Sequence, residues 1–279
     1  MPELPEVETI RRDLEKEVLG KRIKRVEVSG VRSVRRHGSA TEFTSRLESK
    51  KITGIDRRGK YLLLRLDGAD VLIIHLGMSG QLLRARSGRE PVERHTHVVF
   101  TFTQGGQLRY VDPRTFGELF VTIGDEIERR VPDLAHLGFD PIEDVMSWSR
   151  FGELLRSRHT RLKTLLMDQR FLAGIGNLYA DEILWGAGLR YDRSSETLSS
   201  QEIRRLTRSI TETLHAAIKH RGSSLADEQY RDLFGEIGDF QSHHQVYGRE
   251  GEACPRCRSP IVRIRTGGRS TFMCERCQV

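Results

Sequence analysis

Four cysteines, all within the last 26 residues, constrain this 279-residue chain more than any other feature. They form two C-x2-C pairs separated by sixteen residues, a spacing typical of four-thiolate zinc sites. Two disulfides are the alternative, but the acidic N-terminus lacks the apolar segment of an export signal, and intracellular thiols stay reduced. We therefore predict one structural zinc ion, because four protein ligands leave no coordination position for a substrate. The predicted ligands are Cys254, Cys257, Cys274 and Cys277.

The charge balance favours a polyanionic partner. The chain has 46 Lys and Arg against 39 Asp and Glu, a net charge of +7. Residues 249–279 contain seven Arg and no Lys, and the guanidinium group can bind two phosphate oxygens at once. A solvated basic surface is the alternative. The longest apolar run, Val71–Leu76, is too short to span a membrane, so we expect a cytoplasmic protein that binds nucleic acid.

The N-terminal half has the pattern of one helix followed by many strands. Pro5 suits a first helical turn, and apolar residues recur at helical spacing over 5–18. Short apolar runs then follow from 22 to 123, and a Gln-Gly-Gly-Gln turn at 104–107 separates two of them. Strands of this kind indicate an antiparallel sandwich or barrel.

The C-terminal half changes to helical periodicity after a mixed segment at 124–150 that contains Pro and Gly. Ser199 and Glu202 have the spacing of a capping box at the start of the last helix. The zinc module then ends the chain, which gives an α+β fold. The predicted helices cover 147–157, 161–169, 177–187 and 199–220.

A glycine-containing turn at 173–177 separates two of these helices. Its glycines let the backbone approach a ligand closely, and Asn177 can cap the following helix, whose free N–H groups would attract an anion. An ordinary tight turn is the alternative. Arg158 belongs to a basic cluster that precedes this turn. Together with the zinc module, the turn and the cluster predict contacts with a DNA backbone.

Six blocks of sequence resemble the formamidopyrimidine-DNA glycosylase family in the same order along the chain. The first is the opening, Met1-Pro-Glu-Leu-Pro-Glu-Val-Glu-Thr9, and the last is Val246-Tyr-Gly-Arg-Glu-Gly251 with the four cysteines. Between them lie Arg58-Gly-Lys-Tyr-Leu-Leu-Leu64, His75-Leu-Gly-Met-Ser-Gly80, Asp112-Pro-Arg-Thr-Phe-Gly117 and the segment 167–182. The resemblance covers essentially the whole chain.

This resemblance implies three domains. A helix and β-sandwich catalytic domain occupies 1–130, a helix–two-turn–helix domain with a base-capping loop occupies 131–242, and the zinc finger occupies 243–279. It also implies a bifunctional DNA glycosylase and abasic-site lyase of base excision repair. The expected substrates are 8-oxoguanine and formamidopyrimidines in duplex DNA, removed with β,δ-elimination. We expect a monomer without an organic cofactor, associated with the bacterial nucleoid through its DNA.

The resemblance assigns the chemistry to the first two residues after Met1. Removal of Met1 would expose the secondary amine of Pro2, which can attack a sugar C1′ and form a Schiff base. The neighbouring Glu3 carboxyl can deliver a proton to O4′ when the deoxyribose ring opens. The alternative for both residues is a helix start, with Glu3 favourable on the helix dipole. We give Glu6 and Glu8 only that dipole role.

Further residues are expected to contact the DNA backbone. By resemblance, Lys60 lies at the edge of the active site, and Asn177 and Arg269 bind the same phosphate region. Lys60 and Arg269 are therefore grouped with the catalytic residues. His75 and His95 are possible phosphate contacts, and His95 matches the family better. A solvated strand-end lysine is the alternative for Lys60.

Met78, Arg114 and Phe116 resemble the three residues that fill the space left by an extruded base, where apolar and planar side chains replace lost stacking. Their types alone would make Met78 and Phe116 core residues.

Thr115 stands where the family often has a second Arg, and His244 stands where an apolar residue is common. The base-covering loop, 222–241, is longer and more acidic than usual.

Two other functions stay open. An endonuclease VIII-like enzyme would remove oxidised pyrimidines, although Leu4 and Val7 favour the formamidopyrimidine type. A non-enzymatic zinc-ribbon protein would only bind nucleic acid. Such a protein has no need of an exposed N-terminal amine, so Pro2 and Glu3 discriminate between binding and catalysis.

Overall fold

The computed structural model describes residues 1–145, 147–225 and 229–279. The chain divides into two compact units. The first contains Met1–Ala135 and His220–Asp239, and the second contains His136–Lys219 and Phe240–Val279. The three functional domains, with limits at 130 and 242, stay a prediction, because compact units are defined by packing alone.

Helix α1 of the first unit, Leu4–Val18, forms where the apolar spacing predicts it. Its stripe of apolar side chains is at most 2% exposed and belongs to the main core. Pro5 lies in the first turn, where its missing N–H costs nothing. The stripe consists of Val7, Ile10, Leu14 and Val18.

Two antiparallel sheets of four strands enclose that core, which confirms the sandwich. The first sheet has the order β1, β6, β7, β5, and the second has the order β2, β3, β4, β8. Their inward side chains form one apolar cluster with α1. The strands are β1 Ile23–Val28, β2 Ile52–Arg58, β3 Tyr61–Leu66, β4 Asp70–His75, β5 Gln81–Ala85, β6 Thr96–Phe102, β7 Gln107–Val111 and β8 Glu118–Ile123.

Three short helices and a returning segment complete this unit. The helices are α2 Ala40–Ser45, α3 Ile127–Arg130 and α4 Pro132–Ala135. The segment 220–239 places Tyr230 and Leu233 in the core, at 5% and 0% exposure. The Leu233 carbonyl accepts a hydrogen bond from the Arg84 N–H at 2.8 Å. The second half of the predicted base-covering loop is therefore part of the packed sandwich, while residues 226–228 of that loop lie outside the described residues.

The second unit contains the predicted helices. Ser199 and Glu202 form the predicted capping box, with Ser199 N–H donating to the Glu202 carboxylate at 2.8 Å. One helix ends earlier than predicted, because the chain turns at Asp168, whose carbonyl accepts from the Leu172 N–H at 2.9 Å. The helices are α5 Trp148–Arg156, α6 Leu162–Leu166, α7 Asn177–Ala187 and α8 Ser200–Lys219.

A hairpin of β9 Val262–Thr266 and β10 Arg269–Met273 lies between the two cysteine pairs. Gly267 and Gly268 have φ of 56° and 78°, so a side chain at either position of this turn would be strained. Short 3₁₀ helices connect several elements of both units, at Val31–Val34, Gly124–Glu126, Ser195–Thr197 and Phe240–His243. Across the described ranges, no helix is both long and apolar enough to cross a membrane.

Candidate active site

The start of α1 holds the two predicted chemical residues in a defined position. Pro2 and Glu3 are buried, whereas Met1 is 53% exposed. The Glu6 carboxylate accepts hydrogen bonds from the Glu3 N–H and the Ser223 N–H, each at 2.8 Å. Glu6 therefore fixes the backbone beside Pro2 and ties it to the segment 220–239. A role on the helix dipole alone, as the sequence predicts for Glu6, is wrong.

Glu8 also does more than the sequence predicts. Its side chain is 2% exposed and accepts from Arg12 at 2.7 Å and from the fully buried Arg57 at 3.1 Å. Burial raises the pKa of Glu8, but hydrogen bonds from Arg11 and Arg12 and the charges of Arg11 and Arg57 lower it further than burial raises it. Arg57 in turn donates to the Gly59 carbonyl at 3.0 Å. This buried ion pair thus connects α1 to the turn that carries the next predicted site residue.

That residue, Lys60, lies in the turn between β2 and β3 and is 9% exposed. His75 ends β4 opposite Tyr61, and the centroids of the two rings are 4.6 Å apart. Burial lowers the pKa of His75 to about 4, so its imidazole is neutral near pH 7 and brings no charge to a phosphate. His95 is exposed and has a φ of 66°. Its position at the surface suits a phosphate contact better than that of His75.

Three side chains with no role in the core project from two neighbouring loops of this unit. Met78 follows β4 and is 38% exposed, and Phe116 precedes β8 and is 46% exposed. The Arg114 guanidinium lies 4.7 Å from the centroid of the Phe116 ring. Residue type alone would have placed Met78 and Phe116 in the core, so only the tertiary structure shows that they are available to a ligand.

In the second unit, Asn177 has a different local role from the predicted one. Gly176 caps α7, and Asn177 is the first helical residue. Its side-chain amide donates to the Ser270 carbonyl at 3.0 Å, next to Arg269. The amide therefore helps to place the β9–β10 turn instead of capping its own helix. The side chains of Arg158 and Arg269 are exposed.

A buried ion pair that sequence reasoning missed holds strand β10. Lys163 lies 2.6 Å from the Asp181 carboxylate, and also donates to the Ser270 carbonyl at 3.1 Å and the Thr271 hydroxyl at 2.8 Å. Asp181 accepts the Phe272 N–H at 2.9 Å. Burial raises the pKa of Asp181 to about 7, although the Lys163 charge opposes the shift. The available signal was a lysine among the apolar residues of α6 and an aspartate within the largely apolar α7.

The four cysteines fit a tetrahedral metal ion. Their sulfur atoms all lie within 4.8 Å of one another, and those of Cys257 and Cys274 are 3.4 Å apart. Zn–S bonds of about 2.3 Å require sulfur separations of roughly this size. The Glu182 carboxylate accepts the N–H groups of Gln245, Val246 and Tyr247 at 2.8 to 2.9 Å and so fixes the segment before the first pair. The chain therefore carries one structural zinc site.

The structure accounts for one of the two departures from the family pattern. Thr115 has a φ of 53°, an unfavourable backbone conformation for a β-branched residue, and nothing in the structure explains this substitution. His244 is 6% exposed and packs its ring against Phe240 and Tyr247. Burial lowers its pKa to about 4, so the ring is neutral near pH 7 and acts as a core aromatic group.

Three family models match the chain, and together they cover most of it. The formamidopyrimidine-DNA glycosylase N-terminal domain matches residues 1–119, and the formamidopyrimidine-DNA glycosylase H2TH domain matches residues 137–229. A zinc finger found in FPG and IleRS matches residues 251–279. The three matches follow one another along the chain in the same order as the sequence blocks that resemble the family.

Curated and solved proteins are similar over the full length. The formamidopyrimidine-DNA glycosylase of Pelotomaculum thermopropionicum is 41% identical, covering 100% of this chain and 99% of the relative. The crystal structure of MutM (Fpg) from Thermus thermophilus has a TM-score of 0.88 and 40% identity, covering 99% and 98% of the two chains. Lactococcus lactis Fpg in complex with DNA that contains an abasic site has a TM-score of 0.90 and 36% identity, covering 99% of each chain.

Proposed function

Because the chain belongs to the formamidopyrimidine-DNA glycosylase family, we propose that it excises oxidised purines from duplex DNA and then cleaves the strand. The proposed substrates are 8-oxoguanine and formamidopyrimidines. Solved structures of similar proteins contain N7-benzyl-Fapy-dG DNA and carbocyclic 8-oxo-G DNA, which supports this substrate class. The observation that carries the proposal is the fixed placement of Pro2 and Glu3 at the start of α1.

The proposed chemistry starts at the amine of Pro2 after Met1 is removed. The neutral nitrogen forms a bond to C1′ as the glycosidic bond breaks, and the damaged base leaves with the bonding electron pair and takes up the proton that the nitrogen loses. Glu3 donates a proton to O4′ as the sugar ring opens, which gives an iminium ion on Pro2. The iminium acidifies the C2′ proton, whose loss expels the 3′ phosphate. A second elimination expels the 5′ phosphate, and water then releases the sugar fragment from Pro2.

The remaining predicted site residues are proposed to hold DNA. Phosphate contacts set affinity without reading the base, so they suit an enzyme that acts in any sequence. The exposed side chains of His95, Arg114, Arg158 and Arg269 can reach a phosphate directly. Lys60 and Asn177 are proposed to contact phosphates as well, while Met78, Arg114 and Phe116 would fill the space that an extruded base leaves in the stack.

Base selection is proposed to depend on the loop 222–241. Arg221, immediately before it, donates to Asp232 at 2.9 Å and to Asp13 at 2.5 Å. The buried Leu233 adds a second attachment to the first unit. Both attachments hold the later part of the loop, and the hydrogen bond from the Ser223 N–H to the Glu6 carboxylate holds its start. The zinc ion, fully coordinated by thiolates, would support DNA binding without joining the reaction.

A panel of otherwise identical duplexes tests the proposed substrate class. Each duplex carries one 8-oxoguanine, one formamidopyrimidine, one thymine glycol or one abasic site. We expect kcat/KM for both purine lesions to exceed that for thymine glycol by at least about tenfold, a difference of ~1.4 kcal/mol in transition-state binding. Preference for thymine glycol would establish the endonuclease VIII-like alternative. Binding without cleavage of any duplex would establish the zinc-ribbon alternative.

Glu3→Gln tests the proposed acid. The amide keeps the shape of the carboxyl group but cannot donate the required proton, so base excision should fall by about 10²- to 10⁴-fold while lesion binding is retained. Single-turnover excision and equilibrium binding to the 8-oxoguanine duplex measure the two effects separately. Glu15→Gln on the solvent side of α1 is the matched control, because the Glu15 side chain is 50% exposed. Normal excision by Glu3→Gln would refute the role.

We also propose that the protein acts as a monomer without an organic cofactor and associates with the bacterial nucleoid through DNA. The three-domain division, 1–130, 131–242 and 243–279, belongs to the same proposal. It rests on the family resemblance, in which each part contributes separately to DNA binding.

A further inference from the structure

Two loops of the first unit carry the three side chains proposed to fill the stack. The loop 76–80 connects β4 to β5 and presents Met78, and the loop 112–117 connects β7 to β8 and presents Arg114 and Phe116. We call them the void-filling loops. Their tips are exposed, but Ser79 and Asp112 beneath them are only 2% and 0% exposed.

The Asp112 carboxylate accepts four hydrogen bonds from these loops and from β7. One oxygen accepts from the Ser79 hydroxyl at 2.6 Å and from the Arg114 N–H at 3.2 Å. The other accepts from the Tyr110 hydroxyl at 3.0 Å and from the Gly117 N–H at 2.9 Å. Burial and the neighbouring carboxylate raise the pKa of Tyr110, so its hydroxyl keeps the proton that it donates. A single carboxylate thus holds all three presented positions. It accepts from Ser79 beside Met78, from the backbone of Arg114 itself, and from Gly117 beside Phe116.

Close packing joins the two void-filling loops as well. A Cβ atom added at Gly77, where φ is 63°, would lie 2.5 Å from the Gly117 nitrogen. A Cβ atom added at Gly117 would lie 2.0 Å from the Tyr110 hydroxyl. The Gly117 carbonyl also accepts from Arg35 at 2.8 Å. The two backbones are therefore in close contact, and a shift of one loop would disturb the packing of the other.

We propose that Asp112 is a positioning residue that makes the two void-filling loops one rigid wedge. The inference rests on the proposed function, because it assumes that Met78, Arg114 and Phe116 enter the duplex. Inserting a wedge into stacked bases costs the free energy of unstacking them, and side chains already held in the inserted geometry avoid a further ordering cost. A carboxylate suits this task because its two oxygens accept hydrogen bonds, whereas an amide has one oxygen that accepts and an NH₂ group that donates.

Asp112→Asn tests the proposal. The NH₂ group of the asparagine would replace one acceptor oxygen and would face groups that themselves donate hydrogen bonds. We compare an 8-oxoguanine duplex, which has a stack to fill, with a single-stranded oligonucleotide that contains an abasic site and has none. Loss of hydrogen bonds to a charged group predicts a fall of about ten- to hundredfold in kcat/KM on the duplex. Cleavage of the single strand should stay within about twofold, since the Schiff-base chemistry is untouched. A 2-aminopurine beside the lesion should report slower wedge insertion.

Two further variants separate positioning from folding. Tyr110→Phe is the matched control, because it removes a donor that belongs to β7 and leaves the hydrogen bonds from both loops to Asp112 in place, so its duplex activity should change by less than about threefold. Ser79→Ala removes the hydrogen bond from the loop 76–80 to Asp112 and should therefore reduce duplex activity, and adding it to Asp112→Asn should cost nothing more, because that bond is already lost.

The outcomes distinguish this inference from the proposed function. Equal losses on duplex and single strand, with an unchanged melting temperature, would overturn the role of Asp112. If Asp112→Asn lowers the melting temperature, Ser79→Ala decides: unchanged duplex activity in that variant would also overturn it. A wild-type protein that cleaves the abasic strand but excises no damaged base would contradict the proposed function instead.

Discussion

Borohydride reduction of the protein during its reaction with an abasic or 8-oxoguanine duplex is expected to leave a covalent protein–DNA adduct on Pro2. The reductant converts the iminium between the Pro2 nitrogen and C1′ into a stable amine. The α-amino group is the natural nucleophile, because its pKa lies well below that of a lysine side chain and more of it is unprotonated near pH 7. Denaturing electrophoresis measures the adduct, and peptide mapping locates it.

Blocking the N-terminus provides the control for this experiment. A protein that retains an uncleaved N-terminal tag should lose the adduct and at least ~10³-fold in cleavage rate, as expected when a covalent nucleophile is removed. Removing the same tag with a protease that exposes Pro2 should restore both. Lys60 lies in the turn between β2 and β3 and, by resemblance, at the edge of the active site, so it is the alternative amine to exclude. An adduct at full yield in the tagged protein, or one mapped to Lys60, would refute the assignment to Pro2.

Removal of zinc is expected to abolish DNA binding by unfolding the finger. Structural zinc contributes about 10–16 kcal/mol of apparent binding free energy in such modules, as much as the whole stability of many domains. The small core around Trp185, Val246 and Phe272 includes two of the ligands and cannot persist without them. Cys274→Ser should therefore lose the metal and the affinity for duplex DNA together, while the sandwich keeps its circular dichroism and melting transition.

The two tryptophans make this loss measurable. Trp185 is 9% exposed and its ring lies 4.0 Å from the Arg256 guanidinium, whereas Trp148 is 37% exposed. In a Trp148→Phe background, unfolding of the finger should shift the emission of Trp185 to longer wavelength. Glu275→Gln, beside Cys274 on the exposed surface, is the matched control and should change neither emission nor metal content. Metal analysis that returns no zinc from an active sample would contradict the prediction.

Several features of this protein could be derived from the sequence because neighbouring residues determine them. The two cysteine pairs predict their own metal site, since each pair needs only a tight turn to bring two sulfur atoms together. The stripe on α1 and the capping box at Ser199 arise within one or two helical turns. The Gln104–Gln107 turn similarly leads to the pairing of β6 with β7. Local spacing contains this information, and the structure confirms it.

The residues that hold the candidate site in place could be identified only from contacts between residues far apart in the sequence. Ser223 meets Glu6, Lys163 meets Thr271, and Ser79 meets Asp112 only in the folded chain. No periodicity distinguishes such residues beforehand from solvated charges or ordinary turn formers. Hydrogen bonds and burial in a low-dielectric interior give them their roles, and both arise only when distant segments pack. The sequence by itself therefore determined the zinc ligands and most of the longer helices and strands, while the tertiary structure alone decided which buried carboxylates position helix α1 and the void-filling loops.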